Sequence, residues 1–378
     1  MRIAYVYAGV DLRTSAGVVK KLASQTAVWA AEGHAAEVFF HAHHPPAESG
    51  GLNEFQVPVH LFLDAPVAGS AILSAARKRM RTMNELVVSA LAWRPDVVYL
   101  RYTVYYPALA ELMDRVPTVL ELNTDDLVEY ARLLPRHKML YHRLTRGALL
   151  RRARGMISVS SEIAARPHFA RFGKPIRVIA NGIDLDGFQP LPPPDTERPR
   201  LVFLGAPGCP WHGVDKVVEL ARLCPDWDFD VVGLNGEGLG ADCPGNLRFH
   251  GYLTRAEYEG ILSRAVVAIG SLAMHRAGLD EASPIKVREY LAYGIPTIIG
   301  YRDTDFPTDA GFLCRIPNTP DNVVTHLGQI RDFVTRMRGV RVPREAIAHL
   351  DAAGKERDRL QFLAGCAGLD ADGGGTRP

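Results

Sequence analysis

EASPIKVREYLAYGIP, residues 281–296, reads as a turn, a helix and a stop. Ser283 is placed to cap the helix, and Pro284 suits its first position, where the missing N–H would be unpaired anyway. Gly294 and Pro296 end the helix, and TIIG at 297–300 follows as a short buried strand. A helix start of this kind presents unpaired N–H groups and the positive end of a dipole, so the turn at Ser283, Pro284 and Ile285 attracts anions. Lys286 adds a cation in the first turn, where it is mildly unfavourable unless something negative sits beside it. Glu281 precedes the helix and Glu289 lies inside it, eight residues on. The combination suits a sugar diphosphate, with dipole and lysine for the phosphates and carboxylates for hydroxyls. The plainer alternative is an ordinary helix with Lys286 and Glu289 paired at i, i+3, worth a few tenths of a kcal/mol.

Working outward, the stretch sits in a β-α-β series. RLVFLG (200–205), DFDVVG (228–233), NLRFHGYL (246–253) and AVVAIG (265–270) read as the strands of that series, and VDKVVELARLC (214–224) is helical between the first two. The first half repeats the pattern with RIAYVYA (2–8), AAEVFF (35–40), DVVYLRY (96–102), PTVLELN (117–123) and MISVSSEIA (156–164). Such units build parallel sheets with ligands at the strand carboxyl ends. Arg101, Tyr102 and Asn123 fall at such ends, as does the loop 9–17 with Gly17 before its helix. Between the halves, QPLPPPDTERPR (189–200) carries five prolines in twelve residues and reads as a linker.

Length favours two domains: 378 residues exceed one ordinary core. Hydrophobic content of 47%, charged content of 23% and a net charge of +2 describe a soluble globular chain with no call for nucleic acid. No apolar run approaches a membrane span, and MRIAYVYAGV reads as a strand rather than a signal peptide. The five cysteines lack metal spacing and point to reduced thiols in the cytoplasm. His41, His43 and His44 run into Pro45 and Pro46 and read as a solvated loop. Asp-x-Asp occurs five times, which leaves it without discriminating power, and no metal is expected. RKRMR at 77–81 and the arginines at 143, 146, 151, 152 and 154 read as solvated helix faces. Their sharper alternative is an anionic membrane surface or a phosphate-bearing acceptor.

The stretch 281–296 resembles the E-x7-E signature of retaining glycosyltransferases with the GT-B fold, especially family 4, in a variant with S-P-I-K before the second glutamate. PIRVIANGIDLDGF (175–188) is similar to the segment that ends the family's N-terminal domain. The resemblance implies an α/β fold, GT-B, with two Rossmann-like domains facing across a cleft. Residues 1–188 would bind the acceptor, 189–199 link, and 200–340 bind the nucleotide sugar. Residues 341–366 would supply a helix crossing back to the N-terminal domain, and 367–378 a disordered tail.

By the same resemblance Glu289 holds the ribose diol and Glu281 the hydroxyls of the donor sugar. Ser283, Lys286, His212 and the helix start take the diphosphate. Relatives place an arginine and a lysine in the loop where this chain has Trp211, His212 and Gly213, so Lys286 would supply the fixed charge. Tyr252 lies in the GYL segment (251–253) that reads the base through backbone groups, and His275 and Arg276 would border the sugar. Gly17 stands alone where relatives pair glycines near the donor phosphates and acceptor. Asn123 replaces a family histidine; an amide takes no proton at neutral pH but can hold a sugar hydroxyl.

The implied reaction is metal-independent transfer, with retention, from a UDP- or GDP-sugar to a carbohydrate, lipid-linked or small-molecule acceptor by front-face attack, without a cofactor. The setting would be cytoplasmic, with peripheral contact at the inner membrane face through the basic helices. The alternatives are a non-catalytic binding protein of the same fold and a sugar-nucleotide 2-epimerase.

Overall fold

The computed structural model describes residues 1–10, 16–44, 52–64, 72–237 and 243–369. By internal contacts the chain divides into Met1–Ile179 with the segment from Ala352, and Ala180–Asp351. Residues 189–199 carry no regular element and fall in the second unit. Parts of the loop 9–17, Pro45 and Pro46, and the tail beyond 369 lie outside the described residues.

The first unit holds β1 (Arg2–Val10), β2 (Ala35–Ala42), β3 (Val59–Leu63), β4 (Val97–Arg101), β5 (Thr118–Leu122), β6 (Gly155–Ser158) and β7 (Ile176–Val178). They form one parallel sheet in the order β3-β2-β1-β4-β5-β6-β7. Its helices are α1 (Ala16–Ala31), α2 (Ile72–Ala92), α3 (Pro107–Arg115), α4 (Asp126–Leu133), α5 (Arg136–Arg152), α6 (Ser161–Ala164) and α7 (Pro167–Ala170). Strands buried on both faces call for near-continuous apolar runs, which is why β1 and β4 are plain in the sequence.

The second unit holds β8 (Arg200–Leu204), β9 (Asp228–Val232), β10 (Leu247–Phe249), β11 (Val267–Ile269), β12 (Glu281–Ala282), β13 (Thr297–Ile299), β14 (Arg302–Asp303) and β15 (Leu313–Arg315). Its main sheet is parallel in the order β10-β9-β8-β11-β13-β15, while β12 and β14 pair separately. The helices are α8 (Val214–Leu223), α9 (Arg255–Leu262), α10 (Ile285–Ala292), α11 (Asn322–Thr325) and α12 (Leu327–Arg336). In each sheet the strand order reverses beside the first strand, between β1 and β4 and between β8 and β11. The carboxyl ends at such a reversal are where open α/β sheets hold ligands.

The chain ends its described part with α13 (Ala352–Ala367), which packs in the first unit. Its Leu360 and Leu363 join Ile3, Tyr5, Trp29 and Tyr99 in one core. Glu356, 3% exposed, accepts from Trp29 Nε1 at 2.8 Å, Gln25 Nε2 at 3.0 Å and Arg359 Nε at 2.8 Å. No described helix is long and apolar enough to cross a membrane.

Four expectations are corrected here. Gly17 is not a loop residue; it lies in the first turn of α1, exposed. Arg146 is not on a solvated face, because Asp126 holds it at 2.7 and 2.8 Å in the interior. His41 and His43 are not a solvated loop, for Asp64 just past β3 binds His41 Nε2 at 3.0 Å and His43 Nδ1 at 2.8 Å. The Gly9 N–H donates to His41 Nδ1 at 3.2 Å, so its Nε2 carries the proton it gives Asp64. Burial acts to raise the Asp64 pKa, but the two imidazoles outweigh it and lower it. Finally, Ser283 is no cap. Pro284 itself takes the cap position of α10, and the Ser283 hydroxyl is turned elsewhere, as described below.

Candidate functional site

In the second unit, α10 is fixed on several sides by residues both near and far in sequence. The Tyr290 hydroxyl accepts from the Leu204 N–H at 2.6 Å, tying the helix to the end of β8. Arg288, wholly buried, donates to both Asp303 oxygens at 2.7 Å and to Asp305 at 2.9 Å. It also reaches the Asn181 carbonyl at 3.1 Å and the Ser283 hydroxyl at 2.9 Å. That hydroxyl accepts from the Asn181 N–H at 2.9 Å as well. Ser283 thus holds the turn through both lone pairs of its hydroxyl, whose own O–H remains to be given. Gly294, at φ +79°, closes the helix: its N–H reaches the Leu291 carbonyl, and the Ile295 N–H reaches Tyr290 at 2.8 Å. This paired arrangement needs a left-handed residue, hence glycine.

The start of α10 keeps its anion-seeking character. The amides of Ile285 and Lys286 precede the first intrahelical bonds, which Val287 and Arg288 make to Pro284. The Lys286 ammonium is buried without a hydrogen-bond partner and sits 4.5 Å from the centre of the Phe203 ring. It does not pair with Glu289. Burial pulls its pKa down from 10.5 to about 7, with Cys209 opposing weakly. His212 lies beside it, its Nδ1 buried and unpartnered, its ring 6.2 Å from Phe203. Burial, and then the Lys286 charge, push the His212 pKa down to about 2, so it is neutral. Two nitrogens at the carboxyl end of β8 thus lack the acceptors that buried polar groups almost always have.

Other expected residues are placed as follows. Trp211 and His212 form one 3-10 turn, and their carbonyls accept from Ala273 and Leu272. Gly213, at φ +75°, follows; a Cβ there would come within 3.3 Å of Ala273 and Leu272. Glu281 is buried on β12 beside Arg302. Glu289 accepts from the Tyr258 hydroxyl of α9 at 2.5 Å. Tyr258 is a functional candidate that sequence reasoning missed, since a tyrosine on an amphipathic helix carries no signal of its partner. Tyr252 is 66% exposed, next to a backbone step where the Gly251 N–H reaches Leu234 and its carbonyl takes the Gly233 N–H. Arg276 makes two bonds of 2.7 Å to Asp215, and His275 bonds to Asn318. Lys216 gives its ammonium to the carbonyls of Thr319 and Pro320 and is no phosphate clamp.

In the first unit, Asn123 and Arg101 do stand at strand ends. The Arg101 guanidinium covers the Tyr7 ring at 4.8 Å and lies 3.6 Å from Glu121. Glu121, 1% exposed, is the hub: it accepts from Tyr5 at 2.7 Å and from Lys21 at 2.8 Å. Burial acts to raise its pKa, but Lys21, Arg101 and Arg359 overcome that and hold it far below the carboxylate range. The Lys21 ammonium also reaches Asn123 Oδ1 at 3.4 Å, while Asn123 Nδ2 is buried without a partner.

Residues 17–187 match the family described as Glycosyltransferase Family 4. No curated protein matches the chain by sequence. Among solved structures, the chain is similar to HepE of Anabaena in complex with UDP and glucose, at 16% identity and TM-score 0.64, covering 97% of this chain and 100% of that one. It is similar to the apo form of WaaB, a lipopolysaccharide outer core galactosyltransferase, at 14% identity and TM-score 0.62, covering 96% and 99%. It is also similar to the UDP-GlcNAc 2-epimerase of Neisseria meningitidis bound to UDP-GlcNAc, at 13% identity and TM-score 0.55, covering 97% and 100%. At such identities the likeness is one of fold. Taken with two parallel sheets of seven and six strands, it identifies the architecture as GT-B, with residues 17–187 matching the family 4 glycosyltransferase model.

Proposed function

We propose that the chain transfers a sugar, with retention, from a UDP-sugar to an acceptor hydroxyl, and that the diphosphate lodges at the start of α10. The observation that carries this is the buried, unpartnered Lys286 ammonium beside His212, ahead of two helix-start amides. A diphosphate would satisfy all of them together and restore the lysine to its ordinary charged state. Glu289, steadied by Tyr258, holds the ribose diol, and Glu281 the donor sugar.

The bond from the anomeric carbon to the leaving phosphate oxygen breaks. A bond to the acceptor oxygen forms on the same face, and the acceptor's proton passes to the departing phosphate. Preorganised charge where negative charge develops supplies the main protein contribution. No metal enters this scheme. The UDP assignment draws on the fold neighbours crystallised with UDP.

A thermal-shift panel of UDP-, GDP-, ADP- and dTDP-sugars tests the reading, and stabilisation by UDP-sugars with product formed only when an acceptor is added is the expected result. Conversion of UDP-GlcNAc with no acceptor would favour an epimerase instead, and a shift without any product a binding protein. Glu289→Gln should weaken donor binding by about 1–3 kcal/mol, the scale of a bond to a charged group. Unchanged affinity in that variant removes its ribose role.

The acceptor we propose is membrane-borne. On α4 and α5, Leu133 is 57%, Leu140 59%, Tyr141 45% and Leu144 77% exposed, among exposed Arg136, Lys138 and Arg143. An apolar strip rimmed by cations suits an anionic lipid surface. The protein should sediment with phosphatidylglycerol vesicles, and Leu140→Ser with Leu144→Ser should reduce this several-fold. Equal sedimentation with phosphatidylcholine vesicles would refute the idea.

A further inference from the structure

We infer that Lys21 is a positioning residue that makes Asn123 a one-way hydrogen-bond donor toward an oxygen of the sugar or acceptor. The inference rests on the transferase reading and assigns a role that the site residues alone did not suggest. An asparagine amide is ambiguous in general, because its oxygen and nitrogen can exchange places by a half-turn about the last bond. Here the neighbour removes the ambiguity. A lysine ammonium has three donors and no acceptor, so only Oδ1 can face it, as the 3.4 Å separation has it.

The remaining end of the amide, Nδ2, then points away, buried and without any partner. A buried donor left open costs free energy, and such a vacancy at a strand end, where ligands bind in this sheet type, is a feature of binding sites. The ammonium cannot wander, since Glu121 holds it at 2.8 Å from below. Glu121 in turn is fixed by Tyr5 and flanked by Arg101. The chain of command runs Tyr5 and Arg101 to Glu121, to Lys21, to Asn123.

This has a chemical consequence. With Oδ1 turned toward Lys21, the end of Asn123 left open presents only N–H, which it gives to a lone pair. It therefore selects an oxygen whose own hydrogen is directed elsewhere, and it takes no part as a base.

The experiment compares Asn123→Asp, Asn123→Leu, Lys21→Met and Lys21→Arg. UDP-glucose, UDP-galactose and UDP-GlcNAc serve as donor probes, and urea melts of each variant report on folding. Aspartate keeps an acceptor for Lys21 but has no N–H, so Asn123→Asp should lose turnover as fully as Asn123→Leu, by about 10-fold or more. Lys21→Met should lower kcat with little change in the KM for donor, and Lys21→Arg should restore most of it. Retention of activity by Asn123→Asp would overturn the inference.

A readout free of turnover keeps the test apart from the transferase reading. In 15N-labelled protein the Asn123 side-chain NH2 pair, assigned by its loss in Asn123→Asp, should shift or broaden in Lys21→Met as the amide gains freedom to turn. To avoid leaving Glu121 uncompensated, the same comparison is made in Lys21→Met with Glu121→Gln. An NH2 pair unmoved in both variants would sink the positioning role even if the protein proves an active transferase. A shifted pair in a protein that turns over no nucleotide sugar would instead leave the orientation standing and remove the reaction.

Discussion

Lys286→Met is expected to raise the thermal stability of the ligand-free protein while weakening UDP binding about 10–100-fold, the loss that goes with one bond to a charged group. The two effects have one cause. Burial lowers the Lys286 pKa from 10.5 to about 7, so the folded protein binds the proton less well than the unfolded chain. The penalty is largest below pH 7, shrinks as pH rises, and is gone above about pH 10.5, where both states are neutral. Its size is on the order of a few kcal/mol at low pH. A methionine of similar length removes it, so the stability gain over the wild type should be largest near pH 6 and vanish toward pH 10.

Ligand binding shows the opposite linkage. A diphosphate raises the lysine pKa again, so binding takes up a proton above pH 7, and affinity should fall by up to about tenfold per pH unit there. Calorimetry at pH 6 and pH 9 checks this. A Lys286→Met protein no more stable than wild type, with undiminished affinity for UDP, would remove the anion site from α10.

The second large effect is expected at Arg288. Its substitution by methionine leaves Asp303, 2% exposed, as a buried charge without its partner, which costs about 3–5 kcal/mol. That is a large share of the 5–15 kcal/mol typical of a domain. Arg288→Lys would not avoid the loss, because an ammonium cannot make the two parallel bonds of a guanidinium to Asp303. Arg288→Met combined with Asp303→Leu should recover part of it, since removing both members of a buried pair is often neutral. UDP binding should fall with the single change, because Arg288 anchors Ser283 and the strand beside the phosphate turn. Urea melts that match wild type for Arg288→Met would contradict the account.

The parts of the fold written in local patterns were open to reading from sequence. β1, β4 and β8 are apolar runs broken only by a terminal arginine, and Gly294 stops α10 through a left-handed backbone angle. The site was legible where chemistry is local, as with Lys286 at a helix start. It was closed wherever a side chain chooses among distant partners. Ser283 reads as a cap, yet a guanidinium five residues on and an amide from residue 181 claim its hydroxyl. His41 and His43 look solvated because Asp64 lies more than twenty residues away. Arg146 looks exposed in a run of arginines until Asp126 is found beneath it. The strands β12 and β14 are two residues each, too short for any periodicity to announce them.

The placement of α13 has a consequence for how the protein comes into being. Trp29 and Tyr99 are made before the stretch 180–351, but Glu356, Arg359 and Leu363, which close over them, are made after it. The unit that begins the chain is thus the later of the two to be completed on the ribosome, because the stretch from 180 to 351 has all its own residues before α13 emerges. Throughout that interval a nascent chain carries an open aromatic core, and its protection in the cell is a matter of timing as much as of stability.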